Sequence, residues 1–285
     1  MPPKQDSTAY QRLKKDIAAG NLGQLYIFHG EEAYLRDHYV SLIRKQLLPD
    51  MLEEFNLHIL NGRELDARSL QTVVDCLPMM SERTLILVSD YDLYKGEKEA
   101  LAAVLSDLPD YVCLLFIYDI IPYKADARTK LAAVIKEKGS VVAFQRQQQS
   151  DLIDWIARRF RALDHEIDTQ DAKYLIFLCG DLMHTLASEI GKISAYAKTP
   201  RVTREDIDAV ATPQLDAVVF QLTDAIAGGQ FDAAAAVLGD LLHMQEPPIK
   251  LLSVLGKQLR QLYSARLALE RGQSSAYLMK LWGMR

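Results

Sequence analysis

Residues His29-Gly30-Glu31-Glu32-Ala33-Tyr34-Leu35-Arg36-Asp37-His38 follow a short apolar run and lead into a helical pattern. In a fold that alternates strands and helices, such a first turn is where helix N-terminal N–H groups hold a phosphate. That chemistry needs the spacing Gly-x-x-x-x-Gly-Lys-Ser/Thr: the glycines let backbone N–H groups cradle phosphates, and the lysine neutralises them. Gly30 supplies the first glycine, but Leu35 and Arg36 stand where Gly-Lys belongs. Glu31 and Glu32 place negative charge where the anion would sit. The turn is a degenerate phosphate loop that should repel a nucleotide.

Other chemistry is equally thin. Asp119 follows the apolar run Cys113 to Tyr118 and takes the position of a magnesium-binding carboxylate, yet Ile120 stands where a glutamate would orient an attacking water. The plainer reading is an aspartate that ends a strand in a turn. Asp126 and Arg128, near Lys124 and Lys130, read as a solvated helix face. There is no Gly-x-Ser-x-Gly elbow, Cys-x-x-Cys pair or His-Glu-x-x-His motif. Cys76, Cys113 and Cys179 are far apart and the six histidines are scattered, which suits a reduced compartment, no disulfide frame and no metal site. We expect no catalytic residue and no cofactor.

A different kind of feature lies at Leu77-Pro78-Met79-Met80, just before an apolar run that begins at Thr84. Core packing and a detachable hydrophobic plug both account for it. Pro78 disfavours the α conformation at Leu77, so the preceding helix ends near there. The loop is then too tight for all of Leu77, Met79 and Met80 to point inward. Methionine is flexible and polarizable, suited to irregular pockets on another protein. Glu82 and Arg83 would supply a polar rim.

The elements that position these residues alternate. Ser7 can cap a first helix that Gly20 ends. Strand patterns lie at 25–30, 55–60, 84–90, 111–119 and 141–144, and helical patterns at 33–48, 67–76, 97–105 and 124–138. Such alternation implies a mainly parallel sheet with helices on both faces over 1–145. The polar stretch 145–150 is a connector, and only helical patterns follow it: 151–163, 169–179, 182–197, 204–211, 215–227 and 231–244. Thr203 and Asp206 resemble a capping box. Pro247 and Pro248 start a further helix whose Ile249, Leu252, Leu255, Leu259 and Leu262 form one apolar seam, with Gly272 at its end. We place a small helical domain at 146–210 and a second helical region at 211–285. The final "AYLMKLWGMR" reads as a helix cut off in mid-domain, so this last region is expected to be incomplete.

The chain has 285 residues, 49% of them hydrophobic, enough to bury a core in two or three domains. Its net charge of −5 argues against coating nucleic acid by bulk attraction. From Ile249 onward, however, Lys250, Lys257, Arg260, Arg266, Arg271, Lys280 and Arg285 face Glu270 alone. That basic stretch suits either phosphate contacts or acidic neighbours in an assembly, the second being the simpler. The N-terminus lacks a signal peptide's apolar block, and no apolar run approaches the ~20 residues of a membrane span. The expectation is a soluble cytoplasmic protein.

Five blocks carry a family resemblance: "LYIFHGEEAYLRDHYVSLIR", "FNLHILNG", "LPMMSERTLILVSD", "ADARTKLAAVIKEKGSVVAF" and "EPPIKLLSVLGKQLRQL". In this order and spacing the chain resembles the delta subunit of bacterial DNA polymerase III, the clamp-loader subunit that opens the sliding clamp. The resemblance covers nearly all of the chain. It implies an AAA+-like α/β domain without a working nucleotide site, a small helical lid, and a helical collar that joins the other loader subunits, gamma/tau and delta prime. It also implies clamp binding through a hydrophobic element before a central strand, here Leu77, Pro78, Met79 and Met80. Relatives often carry Leu-Pro-Phe-Phe or Leu-Phe there; this sequence has methionines. The implied partners are the ring-shaped clamp (beta subunit), the loader subunits and primed DNA, with no membrane. No intrinsic catalysis follows, although the polymerase holoenzyme is a DNA-directed DNA polymerase. Two alternatives are an active P-loop ATPase and a purely structural helical scaffold.

Overall fold

The computed structural model describes residues 7–48, 50–243 and 247–282, without the side chains of Ser7, Asp50, Ser275 and Lys280. The capping role of Ser7, the residues Met244, Glu246 and Arg285, and the charge of Lys280 therefore lie outside the described residues. The chain divides into two units, residues 1–148 with 182–184, and residues 149–181 with 185–285.

In chain order the first unit contains α1 (Ser7–Ala19), β1 (Leu25–His29), α2 (Ala33–Leu47), a single 3-10 turn (Asp50–Leu52), α3 (Glu53–Asn56), β2 (Leu57–Asn61), α4 (Ala67–Val74), β3 (Thr84–Ser89), α5 (Lys98–Ser106), β4 (Val112–Ile117), α6 (Lys130–Lys138) and β5 (Gly139–Ala143). The five strands are parallel in the order β2-β3-β4-β1-β5. Central strands buried on both sides need apolar residues at every position, which is why "LYIF", "TLILV" and "VCLLF" are continuous runs. Alternate residues feed two cores. Ile27, Ile86, Val88, Leu114 and Phe116 pack with α4, α5 and α6. Tyr26, Phe28, Leu85, Leu87 and Leu115 pack with α1 and α2. Each such side chain contributes about 1.5–3 kcal/mol on burial.

Local signals set the helix limits. Asp66 accepts the Ser69 N–H at 2.7 Å and caps α4. Gly20 ends α1 with φ of 75°. Two expectations are corrected. The helix expected at 124–138 begins only at Lys130, because the Thr129 hydroxyl accepts the Ala132 N–H and fixes the N-cap there. The strand expected at 55–60 begins at Leu57; Phe55 and Asn56 belong to α3.

The second unit is built from α7 (Gln149–Arg161), α8 (Thr169–Cys179), α9 (Met183–Tyr196) apart from its first two residues, α10 (Arg204–Val210), α11 (Leu215–Ala227), α12 (Phe231–His243), α13 (Pro248–Glu270) and α14 (Ser275–Trp282). The Thr203–Asp206 capping box is present with both reciprocal bonds. Val218, Val219, Leu222, Ala234, Leu241 and Leu251 form one core cluster. α13 buries Leu251 and Ala268 and leaves Ile249, Leu252, Leu259 and Leu262 exposed, so most of its apolar seam faces outward within this chain. Among the described residues, no helix is long and apolar enough to cross a membrane.

Candidate functional site

The loop between α4 and β3 carries three exposed large apolar residues. α4 ends at Val74, and Leu77, Met79 and Met80 follow at 78%, 54% and 86% exposure. Pro78 between them is half-buried. Three such side chains in water need a reason, because burying them would be favourable.

The loop is held by its backbone instead. Asn56, fully buried at the end of α3, accepts the Met79 N–H on Oδ1 at 2.7 Å. Its Nδ2 donates to the Met79 carbonyl at 2.9 Å and to the Leu52 carbonyl at 2.8 Å. One side-chain amide thus satisfies both polar groups of a residue whose side chain remains free. Met80 adopts φ of 54°, the left-handed region that a non-glycine residue enters at a cost of about 1–2 kcal/mol. That conformation turns the chain toward β3 and leaves Met80 at the tip.

Arg83 corrects an expectation. It is no rim residue. Its guanidinium donates to the carbonyls of Leu22 at 2.7 Å, Gly23 at 3.0 Å and Val112 at 3.1 Å. It thereby ties the start of β3 to the segment before β1 and to β4, and gives the loop a rigid base. Glu82 is exposed.

The degenerate phosphate turn lies at the opposite end of the sheet, after the C-terminus of β1. Its backbone is already engaged: the Glu32 N–H donates to the Phe144 carbonyl at 3.0 Å. Gly30 has φ of 120°, and a Cβ there would lie 2.1 Å from that carbonyl oxygen, so the Phe144 backbone just after β5 requires this glycine. Glu31 pairs with Arg146 at 2.8 Å, Glu32 is buried, and Leu35 packs against the α1–α2 core. Arg36, 4% exposed, turns inward: its Nη2 is 2.7 Å from Asp119 and its Nη1 donates to the Tyr118 carbonyl. The sequence positions of a phosphate lysine and a metal carboxylate are thus joined to each other. Asp126 and Arg128 form a local ion pair. Among the described residues, no group of three His, Cys, Asp or Glu side chains could hold a metal ion. Burial pushes the thiols of Cys113 and Cys179 up to about 12, far from a reactive thiolate.

In the second unit, two basic residues of α13 have acidic partners within the chain. Lys257 lies 3.9 Å from Asp216, and Arg266 pairs with Glu270 at 2.8 Å. Arg260 is exposed, and so is Lys250.

The residues that sequence reasoning misses are Asn56 and its neighbours. The usable signal is Glu53-Glu54 ahead of Phe55-Asn56: acidic residues suit a first helical turn, and asparagine is a poor strand residue.

Comparison with known proteins agrees with this geometry. The family described as DNA polymerase III, delta subunit matches residues 26–145, and its C-terminal domain matches residues 216–284, together about two thirds of the chain. The DNA polymerase III subunit delta of Bacillus subtilis (strain 168) is 24% identical over 266 residues, covering 90% of this chain and 77% of that protein. The probable DNA polymerase III subunit delta of Aquifex aeolicus (strain VF5) is 21% identical over 292 residues, covering 98% and 81%. Among solved structures, the Bacillus subtilis DNA clamp loader delta protein superposes with a TM-score of 0.60 at 20% identity, over 97% of this chain and 84% of that one. A variant of Thermotoga maritima RuvB gives a TM-score of 0.50 at 14% identity, over 84% and 82%, a likeness of AAA+-like fold alone. On the two domain matches and these relatives, the chain belongs to the DNA polymerase III delta subunit family, the clamp-loader delta subunits.

Proposed function

We propose that this chain binds the ring-shaped sliding clamp through Leu77, Pro78, Met79 and Met80, and opens it for loading on primed DNA. The observation that carries this reading is the pairing of exposed side chains with a fastened backbone. Leu77, Met79 and Met80 face water, while Asn56 and Arg83 hold the loop that presents them. Such preorganisation lowers the entropy cost of docking. If one joint of the ring closes weakly, a partner that binds the sprung form better shifts the population toward open. No ATP hydrolysis by this chain is needed. The Arg36–Asp119 pair supports a subunit that leaves hydrolysis to its neighbours.

Residues 146–210 act as the lid and 211–285 as part of a collar in this proposal. The exposed seam Ile249, Leu252, Leu259 and Leu262 suits packing against the gamma/tau and delta prime subunits. Lys250, Lys257, Arg260 and Arg266 then face primed DNA or acidic neighbours within the complex. Such a replication subunit works in the cytoplasm.

The test is size-exclusion chromatography of this chain with and without purified clamp. Co-elution is expected, and Met79→Ala/Met80→Ala should abolish it while the far-UV spectrum stays unchanged. Anchors of this kind typically cost about 1–4 kcal/mol each when truncated. A folded double variant that still co-elutes would sink the reading. A second reading, a scaffold that joins loader subunits only, is favoured by the outward seam of α13; it predicts assembly with those subunits and no binding to the clamp.

A further inference from the structure

The plug loop has a neighbour. Asn56 Nδ2 donates to both the Leu52 and Met79 carbonyls, so those two oxygens cannot be more than about 6 Å apart. Leu52 follows Met51, which is 89% exposed, and Asn56 follows Phe55, which is 54% exposed. Leu57 of β2 pairs in register with Leu85 of β3, and the two strands are parallel. The turn before β2 and the loop before β3 therefore reach the same end of the sheet side by side. Five large apolar side chains, Met51, Phe55, Leu77, Met79 and Met80, stand in water around one buried amide.

Phe55 turns its ring to water on an element that Asn56 fastens to the loop carrying two exposed methionines. The apolar residues just before it and after it in the chain, Leu52 and Leu57, are half-buried, so the segment had the option of turning Phe55 inward. The plug itself lacks an aromatic residue, and aromatic side chains carry a large apolar area at low entropy cost.

We propose that Phe55, with Met51 beside it, forms a second half of the clamp-docking surface and inserts into an apolar pocket of the ring as its aromatic anchor; this rests on the clamp-binding function proposed above. The occupant is the clamp, because the surface is continuous with the plug loop through Asn56. The same amide sets the spacing between the two halves, so they dock as one rigid surface.

The experiment measures clamp affinity of the full chain by surface plasmon resonance, with a thermal melt of each variant. Phe55→Ala is expected to weaken binding at least ten-fold with the melting temperature retained, and Phe55→Trp to keep binding. Met51→Glu, at a more exposed position, is a second probe and should also weaken binding; it stands in if Phe55→Ala fails to fold. Wild-type affinity in both folded Phe55→Ala and Met51→Glu, with loss in Met79→Ala/Met80→Ala, would overturn this inference and leave the clamp-binding reading intact. No clamp binding by the wild-type chain would overturn both.

Discussion

Arg36 reaches from α2 to the end of β4, where its guanidinium lies 2.7 Å from the Asp119 carboxylate and 3.1 Å from the Tyr118 carbonyl. In a nucleotide-binding sheet those positions would meet through a phosphate and a metal ion. Here one side chain supplies the positive charge from within. The arginine is only 5% exposed on its side chain, and the aspartate is 56% exposed, so the pair closes the turn from below while its carboxylate stays wet.

Titration of the chain with Mg-ATP should therefore show no saturable heat, and Arg36→Lys should not create it, because Glu31, Glu32 and the engaged Glu32 N–H remain. Arg36→Ala should cost about 1–3 kcal/mol in a urea melt, mostly from the stranded Tyr118 carbonyl and the space left behind, since water can rehydrate Asp119. Saturable nucleotide binding by the wild-type chain would revive the P-loop ATPase alternative.

Asn56→Ala removes the two hydrogen bonds that fasten α3 to the plug loop, and a third to the Leu52 carbonyl. We expect a loss of about 1–3 kcal/mol, the usual cost of stranding part-buried polar groups. Amide exchange at Met79 should accelerate well beyond the global change, because its N–H loses its acceptor. Asn56→Asp should be no rescue: a carboxylate still accepts from the Met79 N–H but cannot donate to the Leu52 and Met79 carbonyls. Equal exchange rates at Met79 in wild type and Asn56→Ala would show that the loop is held by something else.

The contrast between these sites explains what the sequence can and cannot reveal. The strands β1, β3 and β4 are legible because burial on both faces demands unbroken apolar runs. The capping box at Thr203 is legible because its two residues are three apart. Asn56 meets Met79 from 23 residues away, and Arg83 meets Leu22 from 61 away. Such partners leave no local spacing to read, so Arg83 resembles a rim residue and Phe55-Asn56 the start of an alternating strand. The nucleotide turn is legible as degenerate, since missing Gly-Lys is a local fact. Its filling by Arg36 and Asp119 is not, because they lie on different elements.

Met80 separates backbone from side chain. Its φ of 54° favours glycine, so Met80→Gly should leave the melting temperature unchanged or raise it slightly. The same variant removes the most exposed anchor of the plug, and clamp affinity should fall. A variant that is as stable as wild type yet weaker in binding would assign the strain at this tip to presentation of the side chain. Undiminished binding by Met80→Gly would remove Met80 from the docking surface.

Asp90 gives the pH dependence its sign. Its backbone has φ of 53°, and its Oδ1 accepts the N–H groups of Asp119 at 2.9 Å, Ile120 at 2.9 Å and Ile121 at 3.2 Å. Burial alone would raise its pKa; the three N–H donors, with the nearby Arg36 charge, outweigh burial and hold it below the ordinary 3.8. A carboxyl lowered in the folded state binds its proton more readily when unfolded. Its contribution to stability is therefore complete above the unfolded value and is lost as pH falls through the folded one. Asp90→Asn keeps an acceptor in place but removes the charge. Its stability deficit against wild type should be largest near pH 7 and shrink as the pH falls below the ordinary 3.8 and through the lower folded value. Urea melts at pH 7 and along that acid limb test this. A deficit of the same size throughout would mean that acceptor geometry, and not the negative charge, organises the turn that carries Asp119.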